Sequence, residues 1–320
     1  MKTLFSIFCY ALLLFPTLLF AQSTKLREIK VGYPLGGSTS YFWVAYRSGS
    51  FEKHGVKLEP VYIRGGRLGI QAALSGDMVL QLQGASTVVS AWAQGAKELQ
   101  FIGAVGNRLD YILTTLPSIR KPEDLRGKKI GVNRLGGRSA LIVRVMMEDA
   151  GLDFTRDLTI LQLGGSGERL AALISGGIDA GPVEATLEPK LVSLGLHILR
   201  AKRAPFATAP TVVKRSYLQS HRPTMKRFME AYLEAMQFIR HNKEDTLRTL
   251  ARVLGSNDRQ VLDYAYDDIL GTMEPILVPP QEAVNNLLKM VAYTDKRAAS
   301  VKPAGILDLS LLDELKSQAK

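Results

Sequence analysis

The sequence predicts an α/β protein built as two units, each a mainly parallel sheet wrapped by helices. From Glu28 onward short apolar runs alternate with amphipathic stretches, and the alternation restarts near Lys129. Strands alternating with helices at this pace make βαβ units. Past the second series the style changes to long helical stretches. A chain of this length is also too large for one compact core, which makes two domains the expectation.

The first unit opens with Glu28–Tyr33, a period-two strand stopped by Pro34. The turn Leu35–Ser40 leads into a helix over 41–51, with Ser38, Thr39 or Ser40 as its N-cap. Gly55, after His54, supplies the left-handed residue that ends it. Strand Val56–Ile63, helix Gly65–Ser75, strand Met78–Leu82, helix Ala85–Ala93 and strand Leu99–Val105 follow. Ser118–Gly127 is a polar, proline-containing joint. The second unit reads as strand Lys129–Asn133, helix Arg138–Ala150, strand Leu158–Leu163, helix Glu168–Ile174, strand Ile178–Gly181, helix Ala185–Leu194 and strand Leu196–Leu199. Thr211–Val213 is a strand that returns the chain to the first unit. Helices are expected over Pro223–His241, Lys243–Leu254, Asp258–Ile269, Gln281–Tyr293 and Leu309–Gln318. Pro223 suits the first helical position. Met225, Phe228, Met229, Tyr232, Leu233 and Met236 recur at three- and four-residue spacing, which reads as core packing.

At the N-terminus, Lys2 precedes an uncharged run from Leu4 to Ala21, interrupted by Pro16. A positive start, a short apolar core and a small residue at the end read as a secretory signal over residues 1–21. A retained membrane anchor is the alternative, although the run is short for a span. Cys9, the one cysteine, lies inside this segment. Cleavage would leave a chain without disulfides, thiolate chemistry or cysteine-bound metal. The charge is +11, with 41 Lys and Arg against 30 Asp and Glu; the leader holds one Lys and no acid. A basic exported protein attracts anions, or simply carries a basic surface. No dense basic block interleaved with aromatics points to nucleic acid.

Catalytic constellations do not stand out. His54, His197, His221 and His241 are far apart in sequence and fall in no metal spacing. Ser50-Phe51-Glu52-Lys53 matches SxxK without the companion motifs, and Gly165-Ser166-Gly167 is not a dinucleotide fingerprint. Binding features are better represented. Four strand-to-helix turns carry small, hydroxyl or glycine residues: 36–40, 83–87, 133–139 and 164–167. All lie at strand C-termini, the edge at which open α/β sheets bind ligands. Helix N-termini there present unpaired N–H groups and partial positive charge. The candidate ligand-binding residues are Ser38, Thr39, Gly84, Ala85, Ser86, Asn133, Arg134, Gly136, Arg138, Ser139 and Ser166. Arg134 and Arg138 match carboxylate, sulfonate or phosphate oxygens; Arg64, Arg67 and Arg169 stand behind them. Glu184 either meets a ligand amine or favourably begins its helix.

Four segments in fixed order carry a family resemblance: Gly49-Ser50-Phe51-Glu52-Lys53-His54-Gly55-Val56, Gly76-Asp77, Leu125-Arg126-Gly127-Lys128-Lys129-Ile130-Gly131-Val132 and Ile174-Ser175-Gly176-Gly177-Ile178-Asp179-Ala180. The sequence resembles the solute-binding proteins of nitrate/sulfonate/taurine-type ABC importers, in the superfamily that also holds thiamine-precursor-synthase-like proteins. The resemblance spans about Glu28 to Lys316. It implies a type II periplasmic-binding-protein fold, two α/β lobes with a ligand cleft and crossovers near 106–120 and 200–212. Residues 22–115 and 210–320 would form lobe 1, and 116–209 lobe 2. It implies delivery of a small solute to a membrane permease; with the turns and arginines above, the expectation is a monomeric periplasmic receptor for a small anion, without cofactor or metal. The alternatives are an enzyme on the same fold acting on a small carboxylate or pyrimidine, and a sensory domain. The synthases' cysteine-rich motif is absent here.

Overall fold

The computed structural model describes residues 26–33, 39–63, 66–82, 84–108, 111–135, 137–200 and 205–318. The expected signal segment, Ser38, Arg64 and Gly136 lie outside them. Among the described residues, ten strands form two five-stranded sheets. The first sheet contains β1 (Arg27–Tyr33), β2 (Val56–Tyr62), β3 (Leu80–Gln81), β4 (Leu99–Arg108) and β10 (Pro205–Lys214), in the order β2-β1-β3-β10-β4. The second contains β5 (Tyr111–Thr115), β6 (Lys129–Val132), β7 (Thr159–Gln162), β8 (Ala180–Glu184) and β9 (His197–Leu199), in the order β7-β6-β8-β5-β9.

Each sheet has one antiparallel strand, and each is the strand that follows a crossover. β10 runs against β3 and β4, and β5 runs against β8 and β9. The crossovers fall between Arg108 and Tyr111 and between Leu199 and Pro205. Residues 111–115, expected in lobe 1, instead pair in the second sheet as Tyr-Ile-Leu-Thr-Thr. Leu113 and Ile112 enter cores on opposite faces of that sheet. The second crossover also returns earlier than residue 210, because Pro205–Thr208 already pairs with β4.

Helices cover both faces of each sheet. In the first lobe these are α1 (Ser40–Arg47), α2 (Ser50–Lys53), α3 (Gly66–Ser75) and α4 (Ala85–Ala93). The second lobe carries α5 (Arg138–Asp149), α6 (Ser166–Ile174) and α7 (Glu188–Ser193). The C-terminal series is α8 (Arg215–Ser220), α9 (Arg222–His241), α10 (Lys243–Leu254), α11 (Arg259–Thr272), α12 (Gln281–Ala292), α13 (Pro303–Ile306) and α14 (Ser310–Gln318). The helix expected over 41–51 is broken in two. Gly49 stands at φ 78°, a left-handed conformation that ends α1 and starts α2. The helix expected from Ala185 begins instead as a 3-10 turn, Ala185–Leu187.

The two faces of the first sheet feed different cores. In β4, Ile102 and Val105 enter the core beneath α1, α9 and α11, while Leu99 and Phe101 enter the one beneath α4 and α12. The Met stripe of α9 is buried as expected, with Phe228 stacked on Phe51 at 5.2 Å. Burying each such side chain contributes about 1.5–3 kcal/mol. Pro60 is tolerated because β2 is an edge strand, with no further partner to need its missing N–H.

Candidate functional site

Since β4 leads directly into β5, the C-terminal edge of the first sheet faces the C-terminal edge of the second. Pro205 pairs with Arg108 on one side of the crossover, and Tyr111 with Glu184 on the other. The ends of β1, β2, β3 and β4 therefore oppose the ends of β6, β7, β8 and β9 across a cleft. A cavity of about 540 Å³ lies in it, within the range of small-molecule sites.

The first lobe supplies one wall from β1, α1 and α10. Tyr33 ends β1, and Thr39, Trp43 and Arg47 follow along α1. Their i, i+4, i+8 spacing puts them on one helix face, spanning about 12 Å. The opposite face, Tyr41, Phe42, Val44 and Ala45, is buried against α9 and α10. Tyr33 meets the Trp43 ring edge-on at 5.0 Å, so the aromatic wall is rigidly braced. Arg252, in the last turn of α10, completes this side with Val253 and Leu254. The second lobe supplies Glu184, Thr186 and Leu187 from the end of β8 and the turn after it.

Two of the residues singled out from sequence line this cavity. Thr39 is 4% exposed and stands at the start of α1. Glu184 accepts a hydrogen bond from the Tyr111 hydroxyl at 3.2 Å, and makes no side-chain cap to the turn that follows it. Arg138 lies against the Tyr111 ring, its guanidinium carbon 4.7 Å from the centroid.

Most of the other candidates lie about the starts of α4 and α5, which Arg134 links, while Ser166 begins α6. Arg134 donates across the cleft to the Thr87 hydroxyl at 3.4 Å. Gly84 precedes α4, and Ala85 and Ser86 are buried in its first turn. Ser139 accepts the Asn133 N–H at 2.8 Å, so this pair closes its own turn. Ser166 accepts from Arg169 at 2.7 Å.

Arg169 is a structural residue. It is 1% exposed, and it donates from Nε to the Pro182 carbonyl at 2.7 Å, from Nη1 to the Gly164 carbonyl and from Nη2 to Ser166. It ties the turn before α6 to the end of β8. Ser50 and Lys53 form no nucleophile pair, because Ser50 bonds Ser48 and Lys53 bonds Glu234 at 2.8 Å. His54 is likewise held by Glu234, at 2.9 Å. Among the described residues no group of three His, Cys, Asp or Glu is placed to hold a metal ion.

Sequence reasoning missed Tyr33, Trp43, Arg47 and Arg252. The first three carried a signal: an aromatic at a strand end, then a polar and aromatic stripe on the unburied face of α1. Arg252 carried none, since only the packing of α10 on α1 brings it to the cavity.

Two further contacts join the lobes. Tyr264 on α11 donates to Glu188 on α7 at 2.6 Å, and Glu188 is also held by Arg200. Leu141 of α5 packs into the core beneath α4 and α12. Burial and the Glu188 hydrogen bond push the Tyr264 phenol up to about 12.

The family model described as NMT1/THI5 like matches residues 38–246, more than half of the chain. No curated protein matches the sequence. Among solved structures, a protein of Bordetella bronchiseptica RB50 superposes with a TM-score of 0.77 at 19% identity, covering 92% of this chain and 98% of its own. The CA3427 gene product of Candida albicans, described as having the generic periplasmic-binding-protein fold, gives 0.71 at 14% identity, covering 88% and 96%. The periplasmic aliphatic sulphonate-binding protein SsuA of Escherichia coli gives 0.70 at 19% identity, covering 89% and 91%. These likenesses establish the periplasmic-binding-protein fold.

Proposed function

The chain belongs to the NMT1/THI5-like family, and we propose that it is the extracytoplasmic solute-binding component of an ABC importer, capturing a small organic anion between its lobes. The observation that carries this reading is the 540 Å³ cavity walled by residues of both lobes. A ligand touching both walls binds the closed arrangement better than an open one, and that difference drives closure. The fold shared with a sulphonate-binding protein supports the same class of solute. Export by the apolar leader, release into the periplasm, a monomeric state and hand-over to a membrane permease complete the proposal.

A receptor is favoured over an enzyme by the character of the lining. Glu184 is the one carboxylate among the described lining residues, and no histidine joins it. General acid–base catalysis is most often carried by a histidine, or shared between two carboxylates, at hydrogen-bonding reach of the reacting atom. The test is a thermal-shift screen of sulfonates, carboxylates, nitrate and pyrimidines on the purified protein, followed by scattering with and without the best compound. A true ligand at 100 times its Kd stabilises by about 2.7 kcal/mol and leaves the particle more compact. A stabilising compound that is consumed during incubation would reject the receptor reading.

A further inference from the structure

We infer that Arg47 and Arg252 form an anion-reading subsite at the far end of the α1 face, and that the cleft takes an elongated organic acid. Its carboxylate or sulfonate sits between the two guanidinium groups, its flat or apolar body lies along Trp43 and Tyr33, and a hydroxyl or amine meets Glu184. This rests on the receptor reading and narrows the class of solute.

Each arginine alone has a simpler explanation. Arg47 and Arg252 stand in the last turns of α1 and α10, where a cation complements the helix dipole. That explanation does not account for their shared position. Both line one cavity, and neither guanidinium has a carboxylate or hydrogen-bond partner among the described residues. Elsewhere the chain does supply carboxylates: Arg126 holds Asp157, Arg222 holds Glu314, Arg259 holds Glu244 and Arg297 holds Asp295. Two unpaired cations walling one cavity repel each other, and an oxyanion between them removes that repulsion while accepting from both forks.

Size sets the second condition. Arg47 lies about 12 Å along the helix from Thr39, so a compact oxyanion held by the arginines leaves most of the cavity unfilled. Trp43 and Tyr33 lie between these ends and present apolar surface, which favours a ring or chain there. Polarity sets the third. Glu184 stands on the opposing lobe, already accepting from Tyr111. Enclosed with a second anion it would be strongly disfavoured, whereas a donor on the ligand satisfies it. Two cations on one wall and a carboxylate on the other thus give the bound solute a fixed direction.

Calorimetry on the purified protein tests this with 3-(4-hydroxyphenyl)propanoate, its primary amide, 3-phenylpropanoate, and the compact anions acetate, nitrate and methanesulfonate. The hydroxylated acid should bind at least tenfold more tightly than any compact anion and than its own amide. Arg47→Ala and Arg252→Ala should each cost about tenfold for the acid, with Tm unchanged and little effect on the amide. Removing the phenolic hydroxyl should weaken binding several-fold in the native protein and not in Glu184→Ala. Tighter binding of compact anions, or equal affinity of acid and amide, overturns the inference. So does indifference to both arginine substitutions, or failure of every elongated acid. Compact anions binding alone would leave the receptor reading standing. Binding confined to neutral pyrimidines would remove the anion from that reading as well.

Discussion

The strand-end turns of the second sheet commit their polar side chains to their own chain, while the wall contributed by α1 and α10 leaves two cations facing the cavity. Arg169 gives its guanidinium to Pro182, Gly164 and Ser166, and Ser139 gives its oxygen to the Asn133 N–H. Arg47 and Arg252 have no such partners among the described residues. An arginine near a strand-end turn is therefore not by that fact a ligand contact. What matters is whether its donors are already committed to the chain that carries it.

Substitutions can break this contrast, beginning with the most damaging. Arg169→Ala strips donors from two main-chain carbonyls and opens a cavity in a fully buried position. Urea unfolding should show a loss of about 3–5 kcal/mol, and a loss below about 1 kcal/mol would mean that Arg169 is not the brace described. The double substitution Arg47→Ala with Arg252→Ala should behave oppositely. Affinity for the best anion should fall by about 100-fold in calorimetry while Tm moves by no more than about 2 °C, since both side chains are exposed.

A smaller effect is expected at the lobe-bridging hydrogen bond. Tyr264→Phe deletes one partner of Glu188 and should cost about 1 kcal/mol, read by urea unfolding. The same tyrosine sharpens the comparison through pH. Its folded pKa is raised to about 12 from an ordinary 10, so its contribution is whole below pH 10 and fades as pH rises toward 12. Alkaline unfolding of the native protein should show that loss, and the Phe variant should lack it. The smallest change belongs to Arg134→Ala. Its side chain is exposed and reaches Thr87 at a long 3.4 Å, so anion affinity should stay within about twofold. A larger drop than at Arg47 would move the binding station to the turn before α5.

Much of this fold was legible in the sequence because its strands alternate in burial. Ile29 and Val31 in β1, and Val56 and Leu58 in β2, announce themselves by period two. β5 was hidden because its Thr114 and Thr115 are buried hydroxyls beside a polar joint. Thr115 finds a main-chain acceptor at Ile119, a pairing that no local pattern announces. The break in the first helix was missed because Gly49 reads equally well as a tolerated helical glycine until its φ is known. At the site, Thr39 and Glu184 were reachable from strand-end logic. Arg252 was not, as it joins Arg47 in one cavity wall only through the packing of α10 on α1.

The position of β10 has a consequence for how the molecule is made. This strand is wedged between β3 and β4, yet it is synthesised only after the whole second lobe. Until it arrives, β4 has no strand to join it to β3, and the first lobe's sheet is split in two. The second lobe is one continuous stretch from β5 to β9 and can mature on its own. Folding should then be ordered, with the inserted lobe first and the outer lobe closing late around a long-range pairing. The first four strands therefore stay unfinished until β10, about two thirds of the way along the chain, has been made.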